Sequence, residues 1–218
     1  KTISCSGKHN ATVIILHGLY QDTKEISWMI NKINCEFIKW IILEGKSLKW
    51  YNYYTQRDNH YRHDKINYRQ FTHSCRCLKN TIKRELKYIA SKNLYIIGIS
   101  QGGTVCINTA LSLKFNLGGV ICIDTIFLSD YMSDISFIKQ KFYILISSND
   151  KIYNPNFQKI CYNLLRFFGN EINVTERNKK HCEDMKEICN YVHFVLQKNK
   201  ESQLRKKLVF FFVEMRPR

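Results

Sequence analysis

Apolar residues fall along the chain in two alternating patterns. Short unbroken runs rich in β-branched residues, Thr12–Leu16 (TVIIL), Phe37–Leu43, Leu94–Ile99, Val120–Asp124 and Phe142–Ser147 (FYILIS), have the composition of strands buried on both faces. Between them apolar residues recur at helical spacing. Ile26, Met29, Ile30 and Ile33 mark a helix from Thr23 to Ile33 with Asp22 as its N-cap. Cys77, Ile82, Leu86 and Ile89 mark a long basic helix over Tyr68–Ala90, and Val105, Ile107, Ala110 and Leu111 mark another after Ser100. Phe157–Phe168 is amphipathic and closes on Gly169. Met185, Ile188, Val192 and Val195 predict a last helix over Cys182–Leu196, and Glu171–Glu176 alternates weakly, as an edge strand does. Strands and helices in this order predict an α/β fold, a mostly parallel sheet covered by helices on both faces.

Two segments stand outside the alternation. Lys46–Tyr61 is aromatic and polar and reads as an exposed loop centred on Trp50-Tyr51-Asn52-Tyr53-Tyr54. Gln197–Arg218 has basic flanks around an apolar run, Leu208–Val213, too short to cross a bilayer. Such a run is consistent with docking on the domain, with touching a membrane or with disorder. The expected division is one domain over 1–197 and a basic extension over 198–218.

Composition narrows the class. At 218 residues, 44% hydrophobic and with two prolines, the chain is long and apolar enough for one globular domain without disordered linkers. No stretch approaches the ~20 apolar residues of a membrane span, which predicts a soluble or peripheral protein. The net charge of +16 suits an anionic membrane surface or nucleic acid, or else a lysine-rich compositional bias. Without an RNP-like, zinc-finger or basic-zipper pattern, nucleic acid ranks last. The nine cysteines are odd in number and lack zinc or disulfide spacing, which points to reduced thiols and a cytoplasmic setting. The first residue is Lys1 rather than Met, which leaves secretion open, while the sequons at Asn10 and Asn173 touch predicted strands and carry little weight.

The chemistry gathers at Gly98-Ile99-Ser100-Gln101-Gly102, between a predicted strand and a predicted helix. Strand, sharp turn and helix around G-x-S-x-G is the setting of a nucleophile elbow, whose glycines let backbones crowd and whose serine stands clear of the sheet. A bare G-x-S-x-G arises by chance in roughly a few per cent of chains this long, so partners must support it. They follow in the order this arrangement requires, Ser, acid, His. Asp150 lies in the loop after Phe142–Ser147, with Asp124 at the end of the preceding strand as the alternative acid. His181 follows the edge strand, whereas His73 and His193 fall within helices. Upstream, the His17-Gly18 turn leaves the Leu19 N–H free to point at the serine, and with the Gln101 N–H it makes two donors for an oxyanion.

With these residues in view, the chain resembles the acyl-protein thioesterases and the wider phospholipase/carboxylesterase family of α/β-hydrolases, over about residues 10–197. Thr12–Leu19 (TVIILHGL) is similar to the family's first strand and L-H-G-L turn, and Lys49-Trp50-Tyr51-Asn52 to its Ser-Trp-Phe-Asp segment. Gly98–Gly103 (GISQGG) is similar to G-F-S-Q-G-G, the most specific element; Leu117–Val120 (LGGV) is also in step. The family's glycine-rich turn after H-G-L is here Tyr20-Gln21-Asp22, which is expected to reshape the oxyanion loop. The resemblance implies an α/β-hydrolase fold, Ser100, Asp150 and His181 as triad, the Leu19 and Gln101 amides as oxyanion hole, and S-acylated proteins or lysophospholipids as substrates. It requires no metal or organic cofactor. Trp50 and Tyr51 are candidates for a wall of the substrate site, and peripheral contact with an anionic membrane fits the charge. The rival expectation is a catalytically silent hydrolase fold that binds acyl chains or membranes. Acyl length, leaving group and oligomeric state are not encoded in these motifs.

Overall fold

The protein is described by a computed structural model covering residues 1–33, 35–53, 66–129, 136 and 138–214, with side chains as far as 199 in the last helix. Seven strands form one sheet. In spatial order they are β1 (Thr2–Ile3), β3 (Ile38–Leu43), β2 (Ala11–Leu16), β4 (Leu94–Ile99), β5 (Gly119–Ile123), β6 (Lys141–Ser147) and β7 (Glu171–Arg177). Every neighbouring pair is parallel except β1 with β3. Helices α1 (Thr23–Ile33), α2 (Tyr68–Glu85), α3 (Gln101–Leu111), α4 (Pro155–Phe167) and α5 (Met185–Glu214) complete the order.

The period-two alternation of the strands divides the core into two layers. Ile14, Leu16, Leu94 and Ile96 face a layer filled by Phe71, Leu78 and Ile82 of α2, by α3, and by Cys161, Tyr162 and Leu165 of α4. Val13, Ile15, Tyr95, Ile97 and Ile99 face the other, filled by Ile26, Met29 and Ile30 of α1 and Ile188, Val192 and Val195 of α5. Both faces are therefore dry, which is why the strands read as continuous apolar runs.

Most elements lie where the hydrophobic pattern puts them, and α1 and β4 have the expected bounds. Asp22 caps α1 by accepting from the Lys24 N–H at 2.8 Å, and Gly169, at φ +83°, closes α4. Three expectations are corrected. Helix α2 stops at Glu85 rather than Ala90. Helix α5 begins at Met185, because Cys182 and Asp184 hold positive φ (50° and 63°), which no helix accommodates. Trp50 and Tyr51 are buried rather than exposed; positions 54–61 of that loop lie outside the described residues. The backbone of α5 continues through 208–213, whose side chains lie outside the described ones. No described helix is long and apolar enough to cross a membrane.

The order of connections locates the site. From β2 the chain goes outward through α1 to β3, then returns past β2 through α2 to β4. Where successive connections diverge to opposite sides, the carboxyl ends of adjacent parallel strands leave a crevice. Here that crevice lies between β2, which ends before His17, and β4, which ends before Ser100.

Candidate active site

Ser100 joins β4 to α3 with φ 49° and ψ −118°, a conformation that costs a non-glycine residue about 1–3 kcal/mol. Its surroundings fix it. The Ser100 N–H donates to the Ile123 carbonyl at 2.8 Å, and the Ser100 carbonyl accepts from Thr125 Oγ1 at 2.7 Å and the Gly103 N–H at 2.9 Å. Helix α3 starts hard against β2 and β5. A Cβ on Gly102 would lie 2.6 Å from the carbonyl oxygens of Leu16 and His17, and one on Gly103 would lie 2.6 Å from Thr125 Cγ2. Only glycine permits that approach.

The Ser100 hydroxyl meets His181 from the turn after β7. Ser100 Oγ lies 2.8 Å from His181 Nε2, and His181 Nδ1 lies 2.7 Å from Asp150 Oδ2. An ionised carboxylate can only accept, so Nδ1 carries a proton, which in the imidazole form makes Nε2 the acceptor for the Ser100 hydroxyl. Asp150 is itself immobilised: Oδ1 accepts from the Ile152 and Tyr153 N–H groups at 2.7 and 2.9 Å, and Oδ2 from Gln158 Nε2 at 3.1 Å. Three residues from separate strand ends thus converge on one line of hydrogen bonds.

Asp124, the alternative acid, is engaged elsewhere. Its Oδ1 accepts from the Ser147 N–H at 2.7 Å, and its Oδ2 accepts from Ser147 Oγ, Arg177 Nη2 and the Cys182 N–H at 2.8, 3.0 and 2.8 Å. The carboxylate that hydrogen-bonds His181 is Asp150. Asp124, His181 and Cys182 bring ligand-type atoms within 4.8 Å of one another. A cation there would have to displace the Arg177 guanidinium and take an imidazole nitrogen from its hydrogen bond to Asp150 or Ser100, so the set does not fit a resident metal.

On the opposite side, Gly18 packs against the elbow, and a Cβ on it would sit 3.5 Å from Ser100 Cβ. The Leu19 N–H carries no hydrogen bond among the described residues, while its neighbours Gly18 and Tyr20 donate to Gln21 Oε1 at 2.9 Å and the Leu48 carbonyl at 2.8 Å. Gln101 is the first residue of α3, where the amide has no intrahelical acceptor. The departure from a glycine-rich turn has a visible form: Tyr20 takes φ 58°, and the Gln21 side chain braces the loop.

His17 is buried beneath the loop as a neutral ring. Nδ1 donates to the Gly18 carbonyl at 2.6 Å and Nε2 accepts from the Gly45 N–H at 3.0 Å. Burial holds its pKa below the ordinary histidine value, against weaker opposing contributions from the Gly18 carbonyl and Glu44. The Gln101 side chain, wholly buried, accepts from the Trp50 N–H at 2.8 Å and donates to the Tyr51 carbonyl at 2.9 Å. Trp50 Nε1 donates to the His17 carbonyl at 2.8 Å. Trp50 and Tyr51 therefore support the elbow from within. A cleft of about 1170 Å³ lies beside them along α2 rather than over Ser100, rimmed by Lys46, Lys49, Arg69 and Arg76.

Sequence reasoning passed over Gln158, Tyr153 and Arg177. Tyr153 donates its amide to Asp150 and sets its ring edge-on to His181 at 5.5 Å. The faint signal for these residues was their nearness to Asp150 and His181 in the chain.

Comparison with known proteins adds to this geometry. The model of the phospholipase/carboxylesterase family matches residues 1–199. Among solved structures, Arabidopsis thaliana SOBER1 superposes with a TM-score of 0.74 at 14% identity, over 87% of this chain and 99% of that one. Zea mays acyl-protein thioesterase 2 gives 0.71 at 16%, over 90% and 98%. The Bacillus cereus carboxylesterase gives 0.74 at 12%, over 91% and 93%. At such identities the likeness is one of fold, an α/β-hydrolase. No curated protein matches by sequence.

Two outcomes are expected from the packing. A methyl group on Gly98 would strike the backbone of Gly102 and Gly103. Gly98→Ala should therefore cost about 3 kcal/mol and lower Tm by about 6–12 °C in thermal unfolding. For His17, a native pKa below the unfolded value means that the unfolded chain binds more protons. Stability is then lost as pH falls through about 6.5 and on toward the depressed native pKa. Urea midpoints between about pH 7 and 5 should fall less steeply in His17→Gln than in wild type; equal slopes would refute this assignment.

Proposed function

Because the chain belongs to the phospholipase/carboxylesterase family, we propose that it is a serine hydrolase cleaving acyl esters or thioesters through an acyl-enzyme. The observation that carries this reading is the relay from Ser100 Oγ through His181 to Asp150, at 2.8 and 2.7 Å. Ser100 attacks the acyl carbonyl while His181 Nε2 takes its proton. The Leu19 and Gln101 N–H groups receive the tetrahedral oxyanion. His181 then protonates the leaving alcohol or thiol, and a water deprotonated by the same nitrogen releases the acid and restores Ser100. Asp150 holds the ring in the tautomer both steps need and stabilises the imidazolium between them.

For substrates, the likeness to an acyl-protein thioesterase supports S-acylated proteins or lysophospholipids. The cations along the cleft beside Trp50 and Tyr51 support work against an anionic membrane face.

A fluorophosphonate probe should label wild type and fail to label Ser100→Ala. Ser100→Ala, His181→Ala and Asp150→Asn should each lower kcat on a p-nitrophenyl ester by about 10⁴-fold or more while far-UV circular dichroism stays native. Folded wild-type protein that neither labels nor turns over any ester or thioester would leave a silent, acyl-binding hydrolase fold as the better reading.

A further inference from the structure

We infer that the buried ion pair of Asp124 and Arg177 is a positioning device for His181, gripping the turn immediately after the residue that must face Ser100. The inference rests on the serine-hydrolase reading of the same site.

The pair is dry. The Arg177 and Asp124 side chains are 3% and 0% exposed, and their ionic atoms lie 3.0 Å apart. Asp124 follows β5, Ser147 closes β6 and Arg177 closes β7. Between them they bind Ser147 from both directions, Asp124 through its carboxylate and Arg177 Nε through Ser147 Oγ at 3.0 Å. Each group also reaches the turn that carries His181, and Arg177 Nη1 lies 3.8 Å from Glu187 Oε2 of α5. Asp124 Oδ2 accepts from the Cys182 N–H at 2.8 Å, and Arg177 Nη1 donates to the Glu183 carbonyl at 2.7 Å. That turn needs holding, since Cys182 and Asp184 both sit at positive φ without being glycine. Buried ion pairs contribute little net stability compared with apolar packing, whereas their geometry is specific.

The pair also separates two carboxylates. Asp124 lies within 4.8 Å of a His181 ring nitrogen, yet three donors, among them the guanidinium, hold its Oδ2. The imidazole is left to Asp150. A planar fork with donors in three directions makes these contacts at once, which an ammonium cannot.

The test is the double variant Asp124→Asn/Arg177→Gln, which removes both charges and leaves neither buried alone. Thermal unfolding should stay cooperative and near that of wild type. On a p-nitrophenyl ester, kcat should fall about 10–100-fold with KM within about twofold, the signature of a displaced reacting group. In a His181→Ala background the same double change should have no further effect. Arg177→Lys should fold and show a smaller loss, and it supplies the comparison if the double variant does not fold. An equal loss with and without His181, or unchanged kcat, would overturn the proposal. Independently of turnover, the downfield proton resonance of His181 Nδ1–H bonded to Asp150 should shift or broaden in the double variant. If that resonance is unchanged the positioning role fails, whereas inert wild-type protein with a sensitive resonance would sink the hydrolase reading alone.

Discussion

The backbone of Ser100 is held where an L-residue does not rest, and much of the surrounding architecture follows from that constraint. A strand that turns within one residue into a helix must bring the helix within contact distance of its neighbouring strands. Gly98, Gly102 and Gly103 are the residues at which that contact is made, against α3 itself, the end of β2 and Thr125. The strain is sustained by a hydrogen bond donated to the Ile123 carbonyl, by one accepted from Thr125, and by the two apolar layers that clamp β4 and α3. In return, a hydroxyl and the free amides of a helix start are presented together at the one crevice the sheet topology opens.

The rest of the site is assembled from strand ends. Parallel strands all finish on the same side, so residues far apart in sequence, at the ends of β2, β4, β6 and β7, meet without long excursions of the chain. The loops after those strands are short and heavily hydrogen-bonded. Asp150 is held by its own following turn and by Gln158 of α4, while the Ser148 and Asn149 amides donate to the Arg177 and Lys179 carbonyls at 2.9 and 3.0 Å. The Asp150 loop and the His181 loop thus brace each other, a rigidity of the kind that electrostatic preorganisation requires.

How much of this was legible follows from the range of each interaction. Helix α1 and strand β4 were legible because their burial is periodic and local. The order Ser100, Asp150, His181 was legible because it runs along the chain. Trp50 and Tyr51 were misread as exposed because their partner, the Gln101 side chain, is about fifty positions away and nothing local marks them as buried. Asp124 and Arg177 present the same difficulty in charged form. In one dimension Asp124 is an ionisable residue after an apolar run and Arg177 one charge among several in a weakly alternating segment, both indistinguishable from solvated ones. Only the register of β5, β6 and β7 makes them neighbours. The start of α5 was misplaced by a backbone feature, positive φ at Cys182 and Asp184, that side-chain pattern does not report.

Gln101 gives the site a property that its separate parts do not have. Its backbone N–H faces the elbow, while its side-chain amide holds the peptide at Trp50 and Tyr51 by one bond accepted and one donated. A single buried residue therefore adjoins Ser100 and braces the wall of the neighbouring cleft from behind. Such an arrangement is thermodynamically reciprocal: any ligand that tightens the Trp50 segment stiffens the amide at the elbow, and any group that binds at the elbow stiffens the wall by the same free energy. Occupancy of the cleft and the geometry at the elbow are in this way two readings of one equilibrium.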